Sequence, residues 1–217
     1  MRKILFILTV LILGVFSGCE REKHLFKPEP VVGYYPLTVG SFWKYSCRHG
    51  WLRYDLFKEV VALDMAQGGI EAYKIRYFWA YSFHDTIRNQ AEWFTHEALV
   101  GTEVRELYDL EDTSRYEIIL RLPIRVGDAW QRPPEHKDSV VEIPAYYDSV
   151  TAIETVVAPA GDFSDCFRIT RISRLDNLGF LEQQKWLKPQ VGFVRHWNSP
   201  GAFGLTYSLE DYKIVTK

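Results

Sequence analysis

PLTVGSFW at residues 36–43 returns 87 positions later as PIRVGDAW at residues 123–130. Proline fixes φ near −65° and has no N–H for a strand ladder, so it belongs before a strand rather than inside one. Glycine allows a positive φ at a tight corner, and the tryptophan that follows packs well in a sheet. The repeat therefore predicts two similar strand entries and a sheet made of two similar halves.

Each predicted corner consists of a proline, a glycine and a tryptophan: Pro36, Gly40 and Trp43, then Pro123, Gly127 and Trp130. A repeated tryptophan could instead stack on a sugar or a peptide. A tryptophan at the start of a strand is more often part of the core, which favours the structural interpretation. A shortened third copy, Pro189-Gln-Val-Gly192, precedes another predicted strand.

Hydrophobic and polar residues alternate with a period of two through most of the chain, as at Tyr73, Ile75, Tyr77 and Trp79. Such alternation predicts strands with one packed face. Further predicted strands are 42–48, 52–62, 91–96, 116–122, 151–158, 165–174, 180–188, 191–197 and 205–214. Residues 96–110 could hold a short helix. We expect an all-β or β-rich fold with a curved antiparallel sheet or half-barrel.

The first 18 residues are predicted to be a leader peptide. A basic start is followed by an apolar run from Ile4 to Phe16, which is shorter than the roughly 20 residues needed to cross a bilayer as a helix. Phe16-Ser17-Gly18-Cys19 comes next and resembles the lipobox of bacterial lipoproteins, in which the cysteine becomes the lipid-modified first residue. We expect lipid attachment at Cys19, a flexible tether over 19–33 and an antiparallel β domain over 34–217.

The charge of the chain argues against nucleic acid as a partner. The formal net charge is −2, and removal of Arg2 and Lys3 with the leader makes it −4. No basic run of five residues occurs, and such a run is typical of proteins that bind nucleic acid or anionic surfaces.

Catalytic and cofactor motifs are not found in the sequence. There is no Gly-x-Ser-x-Gly pentad and no glycine loop that enters a helix to hold phosphate. Cys47 and His49 lack a second pair at zinc spacing, and Glu71 and Glu92 could act together only if the fold joined them. We predict no catalytic residues, no metal and no cofactor.

Two cysteines remain once Cys19 is lipidated, namely Cys47 and Cys166. Outside the cytoplasm they could form a disulfide, which would add a few kcal/mol by closing a long loop. They could equally pack as two small buried hydrophobic side chains. Both alternatives stay open.

Four segments in series resemble a family of bacterial lipoproteins of unassigned function: YYPLTVGSFWKY (34–45), LPIRVGDAW (122–130), VVAPAGDFSDCFRI (156–169) and WLKPQVGFVRHW (186–197). The resemblance covers residues 34–197. It implies an envelope protein built on an antiparallel β domain, with no established catalytic residues. By the habit of such lipoproteins, Glu20 after Cys19 implies sorting to the outer membrane.

Our functional hypothesis is a lipid-anchored envelope protein whose β domain binds an apolar ligand or a protein partner without catalysis. An alternative is an envelope scaffold that meets its partner through edge strands or through the predicted surface loop 131–148. A hydrolase is a third and less favoured hypothesis.

Overall fold

Twelve antiparallel strands form one sheet in this computed structural model. The structure describes residues 34–49, 51–84, 86–132, 146–175, 179–198 and 205–216. The predicted leader, Cys19 and the tether lie outside these ranges. None of the described residues form a helix that could span a bilayer.

The strands pair in the order in which they follow each other within each half of the chain. They are β1 Phe42–His49, β2 Leu52–Ala66, β3 Ile70–Phe83, β4 Thr86–Val100, β5 Glu103–Leu107, β6 Tyr116–Arg121, β7 Ala129–Arg132, β8 Tyr146–Ala158, β9 Gly161–Leu175, β10 Gly179–Lys188, β11 Gly192–Asn198 and β12 Leu205–Lys213.

The sheet consists of two six-stranded meanders, β1 to β6 and β7 to β12. They are joined where β1 pairs with β12 in the middle of the sheet. The two edges, β6 and β7, lie next to each other without a ladder between them, so the sheet is nearly closed and barrel-like. The predictions of a curved antiparallel sheet and of two similar halves are confirmed.

The two repeated corners make the same hydrogen bonds. Gly40 has φ 90°, and its N–H donates to the carbonyl of Val60 on β2 over 2.8 Å. Gly127 has φ 93°, and its N–H donates to the carbonyl of Val150 on β8 over 2.9 Å. In both corners the valine N–H returns a bond to the residue after the glycine. Each corner therefore fixes the first strand of its half against the second.

Both corner tryptophans are buried, with 2% of each side chain exposed. Trp43 lies in one core cluster with Tyr45 and Trp186, and its indole N–H donates to the Val191 carbonyl over 2.6 Å. Trp130 lies in a second cluster beside Leu120. These positions fit the core interpretation and leave neither ring accessible to a sugar.

Two sequence predictions need correction or limitation. The short helix at 96–110 is wrong, because β4 runs to Val100, Gly101 turns with φ 62° and β5 follows. Pairing with β3 and β6 on either side outweighs the helical propensity of this stretch. The ends of the predicted loop 131–148 belong to β7 and β8, and its remainder lies outside the described residues.

Replacement of two glycines by alanine should separate backbone strain from side-chain crowding. At Gly127 a Cβ would meet no atom within 4 Å, so Gly127→Ala should cost only the positive φ, about 1–2 kcal/mol. At Gly192 (φ 99°) the Cβ would lie 3.1 Å from Trp43 Nε1, so Gly192→Ala should cost at least about 1 kcal/mol more. Urea unfolding of both variants measures this difference, and equal losses would contradict it.

Candidate binding site inside the sheet

The inner face of the sheet can be traced through strand pairing, because residues directly opposite each other share a face. The core residue Trp43 lies opposite Lys58, Lys58 opposite Tyr77, and Tyr77 opposite Trp93. In the second half, the core residue Ile169 lies opposite Lys185. The inner face therefore carries charged and aromatic side chains as well as aliphatic ones.

Lys58 and Glu97 form an ion pair inside the sheet. Lys58 Nζ lies 2.6 Å from Glu97 Oε1 and donates to the Tyr35 hydroxyl over 2.7 Å. Tyr77 donates to the same carboxylate over 3.3 Å. Burial alone would lower the pKa of Lys58, but the Glu97 carboxylate outweighs it and holds this pKa above its ordinary value. Lys58 therefore stays charged, and loss of Glu97 would leave this buried ion unpaired.

Three carboxylates stand side by side on neighbouring strands of the first half. Glu97 on β4 lies opposite Glu106 on β5, which lies opposite Glu117 on β6. Burial raises the pKa of Glu106 to about 6, and the charges of Glu97 and Glu117 add to the effect. Glu106 thus takes up a proton more readily than Glu117, whose pKa lies below its ordinary value.

Arg171 on β9 connects the edge strand β6 to the second half of the sheet through side chains. It forms a two-point pair with Asp148 at 2.8 and 2.9 Å, and its Nη1 donates to Glu117 on β6 over 2.7 Å. Its guanidinium stacks on the Tyr146 ring, 3.8 Å from the ring centre. The carboxylates hold the pKa of Arg171 above its ordinary value, although burial opposes this. An ion network therefore joins β6 to β8 and β9 across the gap in the sheet.

Lys185 and Glu106 differ from the other inner charges. Among the described residues neither makes a hydrogen bond or an ion pair, although their charges act on each other. Burial lowers the pKa of Lys185, and the positive charge of Arg171 adds to the effect. Burial also lowers the pKa of His196, opposite Lys185, to about 3, so this ring is neutral at physiological pH.

An aromatic wall lines the inner face next to these charges; we use this name for Tyr54, Tyr77, Trp79, Tyr81 and Trp93. Tyr54 stacks on Tyr81 with ring centres 5.4 Å apart, and Tyr77 stacks on Trp93 at 5.2 Å with nearly parallel planes. Apart from Trp93, which is exposed, these rings are half-buried, as are Glu106, Glu117 and Lys185. These inward-facing side chains therefore remain partly accessible to solvent.

The outer face also carries a groove, with a volume of about 460 Å³. Phe42, Phe57 and Phe78 line it, together with an Arg76 that is paired to Glu59. Because the arginine already has its partner, this groove lacks the unpaired polar groups of the inner face. We therefore place the candidate site inside the sheet.

Several predicted residues have purely structural positions. Cys47 and Cys166 are both free and buried, so the structure contains the pair as thiols rather than as a disulfide. Glu92 on β4 lies opposite Phe78 on β3, and Phe78 is seven residues from Glu71 along β3. The two carboxylates are therefore about 23 Å apart along the strand and cannot act together. No group of three His, Cys, Asp or Glu side chains among the described residues is arranged to hold a metal ion.

The inner charges were missed in the sequence, although a signal was present. Lys58 lies between Leu56 and Val60, in phase with the hydrophobic face of its strand. Glu97 and Lys185 occupy similar positions on β4 and β10. A charged residue at an inward position is costly unless it is paired or used, and this marks it as a candidate site residue.

Comparison with known proteins adds no name to this site, because no family model, no curated protein and no solved structure matches the chain.

The raised pKa of Glu106 predicts a pH-dependent stability. The folded chain keeps a proton that the unfolded chain releases between the ordinary pKa of 4.5 and about 6, so the free energy of unfolding should fall by about 2 kcal/mol as pH rises through this range. Glu106→Gln should remove this fall and stabilise the protein at pH 7.5. Urea titrations at several pH values test it, with the exposed Glu111→Gln as control. Parallel profiles for Glu106→Gln and the native chain would contradict the assignment.

Proposed function

We propose that the chain is a bacterial envelope lipoprotein, anchored through a lipid on Cys19, whose β domain binds a small amphipathic ligand inside the curved sheet without catalysis. The observation that carries the ligand-binding part is the combination of the aromatic wall with two unpaired groups, Lys185 and Glu106. This refines the expectation of an apolar ligand, because the inner face offers polar contacts as well. The envelope location rests on the leader and on Cys19 in the sequence.

The inner face has the composition of a ligand site. Such sites are concave, mostly apolar and supplied with a few polar groups that fix the orientation of the ligand. Here the half-buried rings of Tyr54, Trp79 and Tyr81 provide the apolar surface. Lys185 and Glu106 provide a donor and an acceptor whose hydrogen-bonding capacity is not used by the described residues. Tyr77 connects the wall to the charged groups, since it donates to Glu97, which lies opposite Glu106.

A non-catalytic role agrees with the pairing of the other inner charges. Lys58 is held by Glu97, and Arg171 is held by Asp148 and Glu117. A catalytic site would need a nucleophile or base within hydrogen-bond reach of a second functional group. Glu106 and Lys185 have no such partner among the described residues.

The lipid anchor is tested by metabolic labelling with radioactive palmitate. The native chain should be labelled, and Cys19→Ser should remove the label because no other thiol receives the lipid. Cys47→Ser is the matched control, since Cys47 is a buried thiol on β1 and should leave labelling unchanged. Label that persists in Cys19→Ser would overturn the anchor.

Ligand binding is tested with N-phenyl-1-naphthylamine, a neutral aromatic probe whose fluorescence rises in apolar surroundings. The native full chain should bind it, and Trp79→Leu should weaken binding about ten-fold because one ring of the aromatic wall is lost. Trp51→Leu is the control, since Trp51 is 71% exposed and stacks on His84 in a turn. Equal binding by both variants, or none by the native chain, would overturn the proposed site.

A further inference from the structure

We propose that the ligand carries an acidic group, such as a carboxylate, sulfonate or phosphate, which is held by the Lys185 ammonium, and that its binding is coupled to uptake of a proton by Glu106. This inference rests on the proposed function and adds the chemical class of the ligand and its dependence on pH.

Lys185 is suited to an acidic group because it is the inner cation without a counterion. Within the described residues, Lys58 and Arg171 each have a carboxylate within 3 Å, whereas Lys185 has none within 4 Å. Its closest described aromatic contact is the Phe193 ring, 5.6 Å from Nζ, which is weak compensation for a half-buried charge. An ammonium in such a position gains most from an anionic partner.

Glu106 responds to that partner because of its place in the carboxylate row. The charges of Glu97 and Glu117 on either side favour its protonated form, whereas the charges of Lys58 and Lys185 favour the ionised form. An anion bound to Lys185 offsets the effect of one of these two cations on Glu106. Protonation of Glu106 then becomes more favourable, and the neutral carboxyl can donate a hydrogen bond to the ligand.

The other inner groups do not replace Glu106 in this role. The ionisable groups that act on Glu106 or on Lys185 are Tyr35 before β1, Lys58 on β2, Tyr77 on β3, Glu97 on β4, Glu117 on β6, Asp148 on β8 and Arg171 on β9. Burial raises the pKa of Glu117, but Arg171 outweighs it and keeps this pKa below its ordinary value. His196 on β11, with its pKa near 3, stays neutral throughout the range from pH 5.5 to 7.5.

The test uses 8-anilinonaphthalene-1-sulfonate, an aromatic acid that stays ionised throughout this pH range, titrated into the full chain. We expect binding to tighten about two-fold from pH 7.5 to 5.5, the change that a rise of about 0.5 in one coupled pKa produces, since Lys185 is the weakest of the charges that act on Glu106. Calorimetry in buffers of different ionisation enthalpy should show net uptake of protons at pH 6. Glu106→Gln should bind tightly at both pH values, and Lys185→Met weakly at both.

The neutral probe N-phenyl-1-naphthylamine keeps the outcomes distinct. Cooperative urea unfolding of both variants shows that they fold, and Lys213→Met should match the native chain with either probe because Lys213 is exposed on β12. Acid binding that survives Lys185→Met, or a pH dependence that survives Glu106→Gln, would overturn this inference while leaving the proposed function standing. Failure of both probes would overturn the proposed function as well.

Discussion

Both halves of the sheet depend on a glycine that takes a positive φ immediately before the first strand. A side chain at Gly40 or Gly127 would strain the backbone in a region that L-residues rarely occupy. Each glycine N–H bonds to a valine carbonyl on the second strand of its half. The corner therefore sets the register between the first and second strands of that half. The tryptophan three residues later then lies on the inner face, where it packs in a core cluster.

The core built on these corners is unusual in the amount of charge that it contains. Lys58, Glu97 and Asp148 are buried, and they are tolerated because each has an opposite charge within hydrogen-bond distance. Lys185 and Glu106 are half-buried without such a partner, which costs stability in the folded chain. Groups kept in a costly environment are common at sites of function, which is why the proposed ligand is placed against them.

The sequence predicts the all-β class and the two corners because both depend on local features. Strand alternation is visible in residues such as Tyr73 and Ile75, and the corner requires only a proline, a glycine and a tryptophan in order. The meeting of Glu97, Glu106 and Glu117 could not be predicted, since it depends on register across three strands and on an irregularity near Val104. The stretch from 96 to 110 was misassigned because its good helix formers hide a Gly-Thr turn that only pairing with neighbouring strands reveals.

The equivalence of the two corners has a consequence for how the two halves are joined. If β7 to β12 are superimposed in order on β1 to β6, the joint between β12 and β1 corresponds to the gap between β6 and β7. At the joint, main-chain hydrogen bonds connect the two halves, whereas across the gap the side chains of Glu117 and Arg171 connect them. A sheet that contains the same corner twice is therefore closed by backbone pairing on one side and by charge on the other.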